Sequence, residues 1–153
     1  MFNIPIKINI FAWRVSLDRL PSRLNLSIRG LDIPSIFCPL CSIDVESTSH
    51  LLFACHLARH LMIKVARWWE LEYQDFLSYD DWLLWLANLR VTKRFKGVFE
   101  GVCYIMWWVN WKSRNQVLFG SELPRVVLLF DEIVWLSFNW CSNSCSLNFD
   151  WNS

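Results

Sequence analysis

The stretch "CPLCSIDVESTSHLLFAC", residues 38–55, holds three cysteines and one histidine of a chain that has six and three in all. Written as a spacing, it is Cys38-x2-Cys41-x8-His50-x4-Cys55. Zinc is bound by four such ligands in a tetrahedron, and Cys-x-x-Cys supplies two thiolates from one tight turn. The spacing predicts one zinc ion that staples the loop after residue 37 to the following helix. Four protein ligands leave no open position, so this zinc is structural.

Other interpretations of these residues stay open at the level of spacing. A redox Cys-x-x-Cys, or cysteines buried in an apolar domain, would give the same letters. His56 and His60 lie four residues apart and can form a metal pair on one helix face, with His56 as a substitute ligand. No carboxylate lies on that face, so we interpret both histidines as solvated or packing residues.

Helices dominate the expected secondary structure. The chain has only four glycines and five prolines, and no alternating β-branched runs bounded by turn residues. The predicted fold class is all-α, a small helical domain with a zinc-stapled, Cys-rich loop and a helical C-terminal extension. We place the zinc-binding domain at residues 1–72 and a Trp-rich extension, packed on it, at 73–153, with a loose tail from about 141.

The helical period gives the individual elements. Residues 5–18 form a first helix whose inner face is Ile6, Ile10, Trp13 and Leu17, with Lys7 and Arg14 on the other side. Ser22 caps a short helix that ends at Gly30. One helix of about five turns covers 51–71, and His50 lies just before it with Cys55 in its first turn. Asp80 or Asp81 caps the next helix, and the last two helices cover 94–119 and 124–140.

Composition limits the partners of this chain. Its 54% apolar residues, eleven tryptophans and mean hydropathy of +0.25 are high, so some apolar surface is expected to meet a partner protein. The net charge of +1 gives no overall basic excess for nucleic acid. Neither a membrane span nor a signal peptide is predicted, so we expect an intracellular, reducing compartment, with the nucleus as the expected location.

Basic side chains nevertheless form local clusters along the first helices and in the segment "RVTKRFK", residues 90–96. Lysine and arginine meet phosphates and aromatic rings stack on bases, so these clusters are candidate contacts with single-stranded RNA or DNA. Solvated faces of amphipathic helices explain them equally well. The candidate contacts are Lys7, Arg14, Arg23, Arg90, Lys93, Arg94 and Lys96.

The residues around the metal ligands also carry a family resemblance. It rests on the patterns P-x-K-x-x-x-F-x-W-R from Pro5, L-P-S-R-x-N-L from Leu20, and E-S-x-x-H-L-x-F-x-C from Glu46. These resemble the zinc-binding domain that follows the polymerase in reverse transcriptases of plant LINE-type, non-LTR retrotransposons. The resemblance covers residues 4 to about 70, and "MWWVNWKSRNQVLF" resembles a Trp-rich helix found downstream in the same proteins. It implies the same four zinc ligands and a nucleic-acid role beside a polymerase.

No polymerase domain is recognisable in these 153 residues, so the resemblance implies a fragment that is not itself an enzyme. The stretch "SYDDW", residues 78–82, is out of register with the aromatic-x-Asp-Asp turn that holds Mg²⁺ in polymerases, and we interpret it as a helix N-cap. Two functions remain open. The first is a zinc-binding accessory domain with weak RNA or DNA binding. The second is a zinc-stabilised helical module that binds a polymerase domain or another protein and no nucleic acid.

Overall fold

A computed structural model describes residues 4–120 and 122–144 of the chain. These residues are mostly helical and contain no strand, only an isolated antiparallel bridge between Phe37 and Val45, so the all-α prediction is confirmed. In chain order the elements are α1 (Ile6–Ser16), α2 (Arg23–Ile28), a π-helical turn (His50–Ala54), α3 (His56–Trp68), α4 (Tyr79–Ala87), α5 (Lys93–Leu118) and α6 (Val126–Ser144).

Helix α5 lies at the centre and packs against α1, α3 and α6. Its inward residues are almost fully buried, among them Val98, Phe99, Val102 and Trp107. Aromatic rings fill the contacts on either side. Phe11 of α1 meets Trp108 edge-on at 5.5 Å between ring centroids, and Trp82 of α4 meets Trp107 at 4.7 Å. The aromatic content of the sequence is thus used largely in core packing.

Side-chain caps start three of the helices. The hydroxyl groups of Ser22, Ser78 and Thr92 accept the backbone N–H three residues further on, at the starts of α2, α4 and α5. The prediction for Ser22 is confirmed. The cap predicted at Asp80 or Asp81 is wrong, because Ser78 has the extended backbone of an N-cap residue. Asp81 lies in the first turn and its carboxylate accepts the backbone N–H of Leu77.

The predicted inner face of α1 is also wrong. The structure buries Ile8, Phe11, Ala12 and Val15 and exposes the set predicted to be inside, Ile6, Ile10, Trp13 and Leu17. Both sets recur at helical spacing, because α1 is apolar on two opposite sides. Periodicity identifies each of the two faces but cannot decide which one meets the core.

The helix expected at 51–71 is two elements. The backbone of Cys55 is extended, with ψ of 146°, and separates the π-helical turn from α3. The predicted long helix at 94–119 is confirmed by α5, and α6 runs beyond the predicted 140 to Ser144. The expected loose tail falls mainly on 145–153, outside the described residues.

In the described ranges, no helix combines the length and the apolar character that crossing a membrane requires. The domain boundary near residue 72 stays a prediction. Elements from both sides of it share one core, in which α5 and α6 pack on α3 and α5 packs on α1.

Candidate metal centre

A short hairpin presents the first two cysteines. Its arms are joined by hydrogen bonds from the backbone N–H of Glu46 to the carbonyl of Ile36 at 2.8 Å and from Cys38 to Asp44 at 2.7 Å. At the tip, the N–H of Ser42 donates to the carbonyl of Cys38 at 2.8 Å, and Ser42 adopts a left-handed backbone with φ of 59°. The turn bends the chain so that Cys38 and Cys41 face the same side.

The π-helical turn presents the other two ligands. On a regular α-helix, positions five apart differ by about 140° in azimuth and face different sides. A π-turn closes a hydrogen bond between residues i and i+5, here from the N–H of Cys55 to the carbonyl of His50 at 2.7 Å. His50 and Cys55 therefore lie on one side, with Cys55 as the N-cap residue of α3. His50 was predicted just before the helix and Cys55 in its first turn; instead His50 begins the π-helical turn and Cys55 precedes the first turn of α3.

The four side chains converge. Their ligand atoms, the Sγ of Cys38, Cys41 and Cys55 and a ring nitrogen of His50, all lie within 4.8 Å of one another. Cys41 Sγ is 3.3 Å from His50 Nε2. A tetrahedron with Zn–S bonds of about 2.3 Å has sulfur–sulfur edges of about 3.8 Å. A zinc ion thus fits this group after a small inward closure of the ligands.

Burial and hydrogen bonds set the protonation of the group. The hydrogen bond between Cys38 and Cys55, together with burial, raises the pKa of Cys38, and the same bond lowers the pKa of Cys55. Backbone N–H groups of Leu40 and Cys41 point at Cys38 Sγ, and that of Leu57 at Cys55 Sγ. Such donors stabilise thiolates, which are the form that binds metal.

The surroundings of His50 favour the neutral imidazole, which is the form that binds a metal ion. Burial lowers its pKa, which outweighs the opposite effect of Asp44 and Glu46. Its Nε2 faces Cys41, while its Nδ1 lies 3.9 Å from Asp44 Oδ2. A carboxylate that accepts a hydrogen bond from the second ring nitrogen of a ligating histidine fixes its tautomer and ring orientation. At 3.9 Å, Asp44 lies near this position but beyond hydrogen-bond distance. Asp44 was not singled out from the sequence, although it lies in the loop between the two ligand pairs.

The structure gives less support to the other interpretations of these residues, among them a metal pair of His56 and His60. The three cysteines of the group, Cys38, Cys41 and Cys55, are free thiols. His56 Nδ1 lies 3.8 Å from Cys55 Sγ, but His56 is exposed and its ring meets His60 edge-on at 6.4 Å. Within the described ranges, the Cys3His set is the group of three or more such side chains close enough to hold a metal ion.

Two polar contacts that the sequence did not predict join this centre to α5. Glu46, which ends the hairpin, is fully buried and receives Arg114 Nε at 2.8 Å and Nη2 at 2.5 Å. The backbone N–H of Arg23, in the first turn of α2, also donates to Glu46 at 2.8 Å. Asn110 Nδ2 donates to the carbonyl of Leu51 in the π-helical turn at 2.9 Å. The available signal for Arg114 was a charged residue within the Trp-rich stretch "MWWVNWKSRNQVLF".

The structure does not bring all the candidate nucleic-acid contacts together. Arg23 Nη1 donates to the carbonyl of Phe37 and Lys96 Nζ to that of Ala87, so both also serve the fold. Lys7 lies over the Trp108 ring at 5.6 Å from its centroid. Arg14 and Arg90 are exposed.

Lys93 and Arg94 line a cleft of about 490 Å³ between the start of α1 and the first turns of α5. Asn9, Gly97, Glu100 and Tyr104 also line it, and the Tyr104 hydroxyl donates to Glu100. The lining thus includes two cations, Lys93 and Arg94, and the carboxylate of Glu100. Two of the seven candidate contacts therefore share a concave surface, and the others lie outside it.

Comparison with known proteins gives one finding. Residues 1–61 match the model of a family described as zinc-binding in reverse transcriptase. All four candidate ligands lie within the matched residues, so the part of the chain that is similar to this zinc-binding family also holds the candidate metal centre. No curated protein and no solved structure matches the chain.

Proposed function

We propose that this chain is a zinc-binding accessory domain of a retrotransposon reverse transcriptase, of the plant LINE type, and that it holds one structural zinc ion. The convergence of Cys38, Cys41, His50 and Cys55 within 4.8 Å, inside the matched residues, carries the proposal. When bound, zinc contributes a cross-link between the hairpin and α3. The sequence patterns around Pro5, Leu20 and Glu46 support the LINE-type and plant assignments.

Metal content tests this function. Purified protein is expected to contain one zinc per chain by elemental analysis. Cys41→Ser removes a half-buried ligand and is expected to lower the zinc content to background. His60→Ala removes a nearby histidine outside the cluster and is expected to keep it. Zinc-free wild-type protein, or a Cys41→Ser variant that keeps its full zinc content, would contradict the proposal.

We further propose that the domain binds single-stranded RNA or DNA weakly, through Lys93 and Arg94 in the cleft and through the exposed Lys7, Arg14 and Arg90. The cleft has the size range of small-ligand sites, and two of its lining residues, Lys93 and Arg94, lie in the first turn of α5, at the positive end of the helix. Phosphate contacts release counterions, so affinity is expected to fall by about 0.7 log units per contact for each tenfold rise in salt. The near-neutral net charge limits this attraction to a few contacts.

A matched pair of variants tests the nucleic-acid site. Arg94→Glu reverses a charge in the cleft, and Arg67→Glu makes the same change on the exposed end of α3. Titration of a labelled single strand at several salt concentrations is expected to show a loss of affinity for the first variant only. Equal affinities of both variants and the wild type would exclude the cleft. Binding absent even at low salt would favour the module that binds only protein.

We propose that this chain does not itself catalyse polymerisation. Asp80 and Asp81, the residues that resemble a polymerase motif, lie in the first turn of α4, and Asp81 is engaged by the N–H of Leu77. Template extension with Mg²⁺ is expected to stay at background. Incorporation that disappears in Asp80→Asn would overturn this part of the proposal.

A further inference from the structure

The cleft beside the start of α5 is lined by charges of both signs that do not pair with each other. Lys93 and Arg94 line it together with Glu100. In the described part of the chain, none of these three side chains takes part in an ion pair. The charges are therefore available to a ligand that carries both an anionic group and a hydrogen-bond donor.

Helix α5 sets the spacing of these groups. Lys93, Glu100 and Tyr104 recur at steps of seven and four residues, so they lie on one face of the helix. Arg94 and Glu100 are six residues apart, or about 9 Å along the axis. Lys93 and Arg94 are exposed, whereas Glu100 and Tyr104 are half-buried. The cations thus belong to the open part of the lining and the carboxylate to its sheltered part.

Glu100 keeps one carboxylate oxygen open. The hydroxyl of Tyr104 donates to Oε1 of Glu100. Burial and this hydrogen bond raise the pKa of Tyr104, so its hydroxyl keeps its proton and stays a donor. Lys96, one helical turn before Glu100, instead donates from Nζ to the carbonyl of Ala87 at 2.9 Å. Among the described residues, no donor contacts Oε2 of Glu100.

The chemistry of the lining restricts what part of a nucleic acid can lie at each place. A phosphate is attracted by Lys93 and Arg94 and repelled by Glu100. A carboxylate only accepts hydrogen bonds, so Glu100 requires a donor. In RNA, the 2′-hydroxyl is on the sugar carbon next to the one that bears the 3′-phosphate, and it supplies a donor beside an anion. A DNA strand has no hydroxyl at this position.

We propose that this cleft binds one unit of single-stranded RNA, with its phosphate at Lys93 and Arg94 and its 2′-hydroxyl donating to Glu100. The cleft of about 490 Å³ is in the size range of sites for one small molecule, which suits a single unpaired nucleotide. The proposal rests on the proposed nucleic-acid function of the same cleft and names RNA as the strand that it prefers.

Two strands that differ only in the 2′-hydroxyl test the proposal. Labelled oligouridylate and its 2′-deoxy counterpart are titrated with the full, zinc-loaded chain at one low salt concentration. The wild type is expected to bind the ribose strand about tenfold more tightly, the size of one hydrogen bond to a charged group. Arg94→Glu is expected to weaken both strands, because it reverses a phosphate contact.

Glu100→Gln separates recognition of the ribose from general electrostatics. This change keeps the size of the side chain and an oxygen that can accept from Tyr104, but it removes the negative charge. Affinity for the ribose strand is expected to fall, because the charged acceptor is lost, while affinity for the deoxy strand rises, because repulsion of the phosphate is lost. Glu122→Gln, an exposed residue beyond the other end of α5, is the matched control and is expected to keep the preference for the ribose strand.

The outcomes distinguish this proposal from the function on which it rests. Equal affinity of the wild type for both strands, or a Glu100→Gln variant that binds both more tightly, would overturn the ribose contact. If Arg94→Glu still weakened both strands, the phosphate contact in the cleft would stand. Wild-type protein that binds neither strand would overturn the ribose contact together with the nucleic-acid function. Circular dichroism of each variant checks that its helical content is kept.

Discussion

Glu46 and Arg114 form a buried, two-pronged ion pair that joins the metal-binding hairpin to the central helix. The carboxylate of Glu46 is fully buried and receives Nε and Nη2 of Arg114, at 2.8 and 2.5 Å, and the backbone N–H of Arg23. The Arg114 guanidinium also lies over the Trp111 ring, 4.6 Å from its centroid. A pair with all its donors and acceptors matched can remain buried, whereas one charge without the other cannot.

Loss of one partner of this pair is therefore expected to destabilise the fold. Glu46→Gln leaves the Arg114 guanidinium buried without a counter-charge and is expected to lower the free energy of unfolding by about 3–5 kcal/mol. Urea denaturation of the zinc-loaded protein measures it. Glu46→Gln combined with Arg114→Met removes both charges and is expected to cost less than Glu46→Gln alone. A double variant that costs the sum of the two single changes would contradict a coupled pair.

The matched residues 1–61 are expected to depend on the rest of the chain. The carboxylate of Glu46 is paired with Arg114, and the carbonyl of Leu51 accepts a hydrogen bond from Asn110. The ring of Phe53 packs edge-on against Trp107 at 5.4 Å between centroids. All three partners lie in α5. A chain cut after residue 72 is expected to show low helical content and weak zinc binding. A cooperative unfolding transition of this piece in the presence of zinc would instead support an independent domain that ends near residue 72.

Asn110 supports the π-helical turn through its hydrogen bond to the Leu51 carbonyl. Asn110→Ala leaves that buried carbonyl without its side-chain donor and is expected to cost about 1–3 kcal/mol. Gln116→Ala changes an exposed residue of the same helix and is expected to cost far less. Thermal or urea unfolding of the two variants compares them, and equal stability would show that the contact contributes nothing.

At Gly101, side chains of α6 and of the segment before α1 come close to the backbone of α5. A Cβ atom added there would overlap the ring of Trp140 and lie 2.9 Å from Ile4 Cδ1. Alanine is normally better than glycine within a helix by about 1 kcal/mol. Here the overlap is expected to reverse the sign, so that Gly101→Ala destabilises the protein by about 1–3 kcal/mol. A variant that unfolds at higher urea than the wild type would show that α6 lies further from α5.

Removal of the metal is expected to loosen one part of the fold more than the rest. Structural zinc sites contribute on the order of 10 kcal/mol to folding. After chelation, hydrogen exchange is expected to speed up most in residues 30–60, including the amides of Ser42 and Cys55 that close the two ligand turns. Amides of α5, held by apolar packing, are expected to change less. Uniform loss of protection along the chain would instead mean that the metal supports the entire fold.

The sequence predicted most of the helices, the caps at Ser22 and Gly30 and the four side chains that come together as a candidate metal site, because these depend on local spacing. It did not predict which face of α1 is buried, since Ile6 and Ile8 belong to two equally periodic sets. Nor did it predict the break at Cys55, where a π-helical turn and one extended residue replace a continuous helix. The partners Glu46 and Arg114 lie 68 residues apart, and local patterns carry no information about such a contact.

Three cysteines and one histidine of this chain are proposed to bind a single zinc ion. X-ray absorption at the zinc edge measures the ligands directly. We expect one zinc per chain with three sulfur ligands at about 2.3 Å and one nitrogen ligand at about 2.0 Å. His50→Ala is expected to remove the nitrogen contribution, whereas His56→Ala is expected to keep it. A spectrum with oxygen ligands or with fewer than three sulfurs, or a protein without zinc, would contradict the claim.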